Sequence, residues 1–309
     1  VKKAATNLPA SVRQRLLNLA HEHRQDFGML LTKYALERFL YRLSVSLHRD
    51  SFVLKGALLV QVWTSEVYRP TRDLDLLGQA TGPAKGYRKI FAEVCGQKVE
   101  DDGLTFLAET IRVEKIRDEE AYEGIRVLLE ARLATARIPL QIDVGFGDVI
   151  TPEPMEIDYP TLLAFPKPKM RAYPKETVVA EKFEAIVKLG MANSRMKDFY
   201  DLWVMAGRFE FAGSVFAEAL SATFARRKTV LPALPPLAFT PEFSASPAKQ
   251  TQWRAFLRKS GLEADASLAD VTNALEKFLM PVVEAILRQR TIPAGWRPGG
   301  PWRRVVADE

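Results

Sequence analysis

The stretch Phe52-Val53-Leu54-Lys55-Gly56-Ala57, followed after an apolar interval by Arg69-Pro70-Thr71-Arg72-Asp73-Leu74-Asp75-Leu76, reads as strand, glycine turn, helix and second strand. Side chains alternate along a strand, so Asp73 and Asp75 share one face while Leu74 and Leu76 point the other way into a core. Two hard oxygen ligands one pleat apart, beside a glycine turn, suit a magnesium ion that holds nucleotide phosphates. A D-x-D alone is more often an acidic strand edge or turn. A third acid shifts that balance. Over 137–145, Leu140, Ile142 and Val144 alternate with Gln141, Asp143 and Gly145, which puts Asp143 on the polar face of a half-buried strand. Three acids from two strands can hold two metal ions about 3.5–4 Å apart, the spacing used for in-line phosphoryl displacement. The plain alternative for Asp143 is an ion pair with a basic neighbour such as Arg132 or Arg137.

Composition bounds the answer. The 309 residues suit two modest domains, or one domain with helical extensions, and 47% hydrophobic residues are enough for a sizeable core. The sequence has no run of eighteen apolar residues and no signal-peptide order near its start, so a cytoplasmic chain without membrane partners is expected. A single cysteine, Cys95, rules out an intramolecular disulfide framework and fits a reducing compartment. The net charge of +6 tilts towards a polyanionic partner. His21, His23 and His48 are the only histidines, and His21-Glu22-His23 is no zinc helix, because positions i and i+2 diverge around a helix. No G-x-x-x-x-G-K-[ST] is present. Zinc enzymes, Ser-His-Asp hydrolases and Walker-type ATPases are therefore poorly supported.

Periodicity predicts a helix from an N-cap at Ser11 to Gln25, a second over 30–47, and a third opened by Pro83 and ending near Gly96. Strands are expected over 104–106, 110–116, 125–131 and 138–144, in a mainly antiparallel sheet. Pro152, Pro154, Pro160, Pro166, Pro168 and Pro174 mark a boundary, after which helices are expected over 175–189, 197–206, 212–223, 249–259 and 268–289. The expected division is N-terminal helices on the core over 1–50, the core over 51–150 and a helical domain over 151–309.

Three motifs in order carry a family resemblance. Lys55-Gly56-Ala57-Leu58 with Arg69 to Leu76 resembles the first motif of the AbiEii/AbiGii-type nucleotidyltransferase toxins. Lys175-Glu176-Thr177-Val178-Val179-Ala180-Glu181-Lys182-Phe183-Glu184-Ala185 is similar to their lysine-bearing helix, and Ser194-Arg195-Met196-Lys197-Asp198-Phe199-Tyr200-Asp201-Leu202 to their R-x-K-D-x-x-D-L segment. The resemblance implies an α+β, DNA-polymerase-β-like nucleotidyltransferase core with a mixed, mainly antiparallel sheet, plus a C-terminal helical domain. It implies a toxin of a type IV toxin–antitoxin or abortive-infection system, encoded near an AbiEi-type antitoxin and transcriptional regulator. The implied reaction adds nucleotides from an NTP to the 3′ acceptor end of tRNA, and the three aspartates read above would hold two Mg2+ ions as its cofactors. Carried over by position, Asp73 and Asp75 become metal ligands, joined by Asp143 from the strand pattern. Lys182 becomes a triphosphate-contacting or catalytic lysine, Asp198 the acid of the last motif, and Arg195 a nucleotide contact. One residue departs from the pattern. Where the family commonly has Ser, Thr or a second Gly after the turn glycine, this chain has Ala57, so phosphate must be gripped by backbone N–H groups at the helix start and by Lys55.

The basic residues keep two readings each. Lys182 lies on or beside the apolar face formed by Val178, Val179, Phe183, Ile186 and Val187, where it either forms an ordinary ion pair with Asp201 or Glu181 or aims at growing triphosphate charge. Asp198 either caps its helix or faces the site, and Asp201 is expected to orient Lys182 or Arg195. Lys167, Lys169, Arg171 and Lys175 form either a solvated linker or a track for RNA phosphates. Arg288, Arg290, Arg297, Arg303 and Arg304, with Trp296 and Trp302, either stack on bases or pack on the helices. Two rival functions stay open: a non-catalytic nucleotide- or RNA-binding module, and a nucleotidyltransferase acting on a small molecule or a protein.

Overall fold

The computed structural model describes residues 7–64, 69–79, 84–117, 123–262 and 266–303. Pro83, the expected helix opener, and Arg304 of the basic-aromatic cluster lie outside the described residues. The chain divides into two compact units, one drawn from 1–63, 70–147 and 155–172, the other from 64–69, 148–154 and 173–309.

The first unit runs α1 (Leu8–Glu22), α2 (Phe27–Ser44), β1 (Phe52–Lys55), α3 (Ala57–Thr64), β2 (Asp73–Gly78), α4 (Ala84–Cys95), β3 (Leu104–Arg117), β4 (Glu123–Leu133), β5 (Ala136–Phe146), β6 (Met155–Asp158) and β7 (Lys169–Ala172). Its strands form one seven-stranded sheet in the order β3-β4-β5-β2-β1-β7-β6. The β2/β5 and β1/β7 pairs are parallel and the others antiparallel, which makes the expected mixed, mainly antiparallel α+β sheet. The two strands expected over 104–116 are a single long β3, whose pairing with β4 shifts register between Leu107 and Arg112.

Why the sheet has a core face follows from its alternation. Ile125, Val144, Leu76 and Leu54 are successive cross-strand partners, as are Val127, Ile142 and Leu74, and all seven are buried. From α2, Tyr34, Phe39 and Leu40 are buried too, and Phe39 stacks on Phe91 of α4 at 5.7 Å. The caps differ from expectation. Asn7, not Ser11, caps α1 by accepting from the Ala10 N–H at 3.1 Å, with Pro9 in the first turn. Asp26 caps α2 by accepting from the Met29 N–H at 2.8 Å, so this helix starts three residues before the expected Leu30.

The second unit runs α5 (Lys175–Leu189), α6 (Met196–Arg208), β8 (Phe211–Ala212), α7 (Gly213–Arg227), α8 (Pro241–Ser244), α9 (Pro247–Ser260), α10 (Leu268–Leu287), β9 (Gly295–Trp296) and β10 (Trp302–Arg303). The helices follow the expected periodicity; the small β10-β9-β8 sheet is an addition. Trp296 and Trp302 pack here. Their indole N–H groups donate to Ala206 O at 2.7 Å and to Phe278 O at 2.8 Å, and both rings lie against Phe278. Packing on the helices is thus the reading the structure supports for these two rings. Among the described residues, no helix is long and apolar enough to cross a membrane.

One buried charge cluster ties α2 to the start of β3. Asp102 accepts from Arg42 Nη1 at 2.6 Å and Nη2 at 3.0 Å and from Arg38 Nε at 3.1 Å, with all three residues buried. Removing the shared acid takes from both buried guanidinium groups their closest carboxylate, though Arg38 keeps Glu37 at 3.5 Å. Asp102→Ala is expected to cost about 3–5 kcal/mol, the usual penalty for breaking a buried pair, read as a lower urea midpoint.

Candidate active site

The sheet places its charges in a row. Cross-strand partners in an antiparallel or parallel pair point to the same face, and the register links Glu114 to Arg126, Arg126 to Asp143, Asp143 to Asp75 and Asp75 to Lys55. The row therefore crosses β3, β4, β5, β2 and β1 on the face opposite the apolar rows. Asp73 lies two residues along β2, on the same face, opposite Gln141. The three expected ligands do come together: Asp73, Asp75 and Asp143 are half-buried, and each offers a carboxylate oxygen within 4.8 Å of the other two. Clustered hard oxygens are a donor set that divalent cations take, so these residues could hold such an ion.

Gly56 is required twice. Its φ of +78° lies in the left-handed region that favours glycine, and a Cβ there would fall 2.0 Å from Asp75 Oδ2. The turn thus brings backbone hard against the central carboxylate. Ala57 follows at the start of α3 and is buried, with no hydroxyl to offer. Thr71 supplies a hydroxyl nearby, donating to Asp73 Oδ1 at 2.6 Å. Beside Asp73 lies a cavity of about 300 Å3 lined by Arg72, Leu128, Pro139, Leu140 and Gln141.

Asp143 is paired, but not with the neighbours that sequence suggested. Arg132 and Arg137 both approach Glu130 instead, at 3.3 and 3.8 Å. The partner is Arg126, which grips Asp143 with both ends of its fork, Nε to Oδ1 at 2.9 Å and Nη2 to Oδ2 at 2.8 Å. Gln141 Nε2 donates to Oδ2 as well, at 3.2 Å. The hydrogen bond to Asp143 raises the Arg126 pKa, so the guanidinium stays charged. Arg126 was not among the expected site residues. The signal for it was the hairpin register, which sets position 126 opposite 143.

In the second unit the lysine and acids of the later motifs make a buried cluster. Lys182 Nζ lies 2.7 Å from Asp198 Oδ1 and 2.8 Å from Asp201 Oδ2. Asp201 also takes a bidentate pair from Arg69, at 2.6 and 2.7 Å. Arg195 joins Asp198, not Asp201, through an Nε to Oδ2 distance of 2.9 Å that is an ion pair rather than a directed hydrogen bond. Burial opposes the charge on each of these groups, yet the opposite charges outweigh it: the Lys182 pKa is raised and those of Asp198 and Asp201 are lowered. Glu181, the other partner weighed for Lys182, instead meets Arg227 at 3.3 Å.

The basic ribbon is in part a strand. Lys169 and Arg171 belong to β7, opposite Asp158 and Glu156 of β6, and Lys167 and Lys169 are exposed. Lys175 belongs to the other unit, where it pairs with Glu176 at 2.9 Å.

A glycine turn against a strand-borne D-x-D, with a third aspartate on the adjacent strand, is an arrangement suited to nucleotidyl transfer. A model of the AbiEii nucleotidyl transferase toxin family, of type IV toxin–antitoxin systems, matches residues 38–284, and the chain belongs to that family. Similar solved structures include JHP933 from Helicobacter pylori, at 14% identity over 84% of this chain and 94% of that one, with a TM-score of 0.49. MenT4, a nucleotidyltransferase toxin from Mycobacterium tuberculosis H37Rv, is similar at 18% identity over 92% of this chain and 99% of that one, with a TM-score of 0.48. No curated protein matches the chain.

The buried cluster makes a pH-dependent prediction. Lys182→Met leaves Asp198 and Asp201 short of a cation and is expected to cost about 3–5 kcal/mol near neutral pH. Carboxylates with depressed folded pKa values contribute stability above their unfolded values and lose it as pH falls through the folded ones. In the variant the two acids protonate more readily, so the gap between variant and native chain should narrow below about pH 4. Urea unfolding at several pH values reads this out; a gap that stays constant contradicts it.

Proposed function

We propose that this toxin transfers a nucleoside monophosphate from an NTP to the 3′ end of an RNA, with the acceptor end of tRNA as the target, and so blocks translation in the cytoplasm. The observation that carries this is the single row in which Asp75 and Asp143 are cross-strand partners, with Asp73 beside them and Gly56 packed on Asp75. Asp73, Asp75 and Asp143 would hold a pair of divalent ions; when bound, such ions activate the attacking oxygen and neutralise charge on the leaving group. The first N–H groups of α3 and Lys55 would hold the triphosphate, a task that falls to the backbone because Ala57 brings no hydroxyl. The RNA 3′-oxygen forms its bond to the α-phosphorus as the bond to pyrophosphate breaks, and the hydroxyl proton passes to water. The motif match extends the proposal to Lys182 as a triphosphate contact, with Asp198 orienting it and Arg195 as a second cation. A short pairing of Lys182 with Asp198 supports the orienting role. An AbiEi-type antitoxin is the partner expected to restrain the toxin.

The test is transfer of label from each of four α-labelled NTPs to total tRNA. The native chain is expected to label tRNA with at least one NTP, and Asp73→Ala to lose the signal by about 100-fold or more, as the loss of a transition-state electrostatic contact does. If no NTP labels any RNA, the proposal is wrong. Ala57 favours one other reading, a module that binds nucleotide without chemistry. In that case Asp143→Ala would leave toxicity intact.

Lys167, Lys169 and Arg171 are proposed to meet RNA phosphates, together with Lys175. Charge reversal at the exposed Lys167 and Lys169 is expected to raise the KM for tRNA about tenfold with kcat little changed, and to flatten the dependence of KM on salt. An unchanged salt dependence would remove these residues from the RNA surface.

A further inference from the structure

We propose that Arg126 is a latch on Asp143 that couples divalent-ion binding to triphosphate binding. The inference rests on the nucleotidyl-transfer reading above and concerns a residue that none of the motifs contains.

Three observations carry it. First, Arg126 grips Asp143 in a bidentate pair, Nε and Nη2 each donating to one oxygen, at 2.9 and 2.8 Å. A carboxylate has about four lone-pair sites, and Gln141 uses a third at 3.2 Å, so little of Asp143 is left for a cation. Second, the pair is built in by register. Arg126 and Asp143 are direct cross-strand partners in the β4–β5 hairpin, and Asp143 is in turn the partner of Asp75. The guanidinium is therefore aimed at the carboxylate cluster itself, and a divalent ion arriving there would face both a shared ligand and a fixed positive charge. Third, the latch can open. The Arg126 side chain is 39% exposed against 17% for Asp143, and its other cross-strand neighbour is Glu114. A long side chain at a half-open face can leave its partner without disturbing the strand.

Triphosphate supplies the reason to leave. A guanidinium matches phosphate oxygens as it matches a carboxylate, with two parallel hydrogen bonds. With a triphosphate beside the Gly56 turn, Arg126 exchanges one anion for another. Asp143 is then free to complete the metal site. Metal and nucleotide would bind weakly alone and tightly together, which keeps the site from loading ions with nothing to transfer. The competing explanation is an ordinary cross-strand ion pair that steadies the hairpin. It predicts that a nucleotide analogue tightens metal binding as much in an Arg126 variant as in the native chain.

The experiment is a titration of the full chain with Mn2+, followed by the electron paramagnetic resonance of the free ion, with and without a non-hydrolysable NTP analogue. Arg126→Gln is expected to bind Mn2+ about tenfold more tightly than the native chain in the absence of nucleotide, because a fixed positive charge beside the site is gone and both Asp143 oxygens are released, and the analogue should tighten Mn2+ binding more in the native chain than in the variant. Its KM for NTP in the labelling assay should rise. Arg126→Lys keeps the charge but not the fork and should fall between the two; it carries the comparison if Arg126→Gln lowers the melting temperature. Mn2+ affinity that is unchanged or weaker in both variants, or a tightening by the analogue that is as large in Arg126→Gln as in the native chain, overturns the latch. Absence of Mn2+ binding by every form, with or without the analogue, overturns the metal reading on which the latch depends.

Discussion

The register between β2 and β5 is the constraint on which the rest depends. These parallel strands pair Asp75 with Asp143 and, one position on, Leu76 with Val144. Side chains alternate with a period of two, so the same pairing that gathers carboxylates on one face gathers apolar groups on the other. A slip of β2 by one residue would bury Asp73 and Asp75 and expose Leu74 and Leu76, both now fully buried. Burying an unpaired carboxylate costs several kcal/mol, and each exposed aliphatic side chain forfeits roughly 1.5–3 kcal/mol. The core thus holds three mutually repelling acids together. The flanking charges of the same row, Arg126 on one side and Lys55 on the other, lower the cost of that repulsion.

The second unit solves a different problem. Lys182, Arg69, Asp198 and Asp201 are buried or nearly so, and buried ion pairs are weak evidence of net stabilisation, because desolvation offsets much of the attraction. What they supply is specificity of packing. One lysine from α5 is shared by two acids a turn apart on α6, which favours the register that lets it reach both. The cluster also sets a severe penalty on losing any single member. A role for Lys182 in catalysis and one in stability are therefore not exclusive, and measurements on its variants must include a folding control.

Much of this was legible in the sequence, for reasons that can be named. Alternation over 137–145 and around Asp73 is a period-two signal strong enough to assign faces, so the three aspartates could be placed together without knowing how the strands meet. Strand pairing was harder. The β4–β5 hairpin closes on Leu133 and Ala136 through Ala134-Thr135, with Ala134 at a φ of +51°. Such turns usually carry Asn or Gly, and without that mark the register, and with it Arg126, stayed hidden. Proline density had the same effect further on. The prolines from Pro152 to Pro174 read as a boundary, yet β6 and β7 pair there and β7 extends the sheet alongside β1, because the prolines flank both strands. Arg69 was visible only as part of a motif, since its partner Asp201 lies 132 residues away.

The most direct test of the central claim is the position of bound metal. Crystals grown with Mn2+ and a non-hydrolysable NTP, measured at a wavelength where manganese scatters anomalously, should show the ion coordinated by Asp73 and Asp75, with Asp143 completing the site. Anomalous density elsewhere on the chain, or Asp143 still held by both ends of Arg126 with no ion near the three carboxylates, would contradict it.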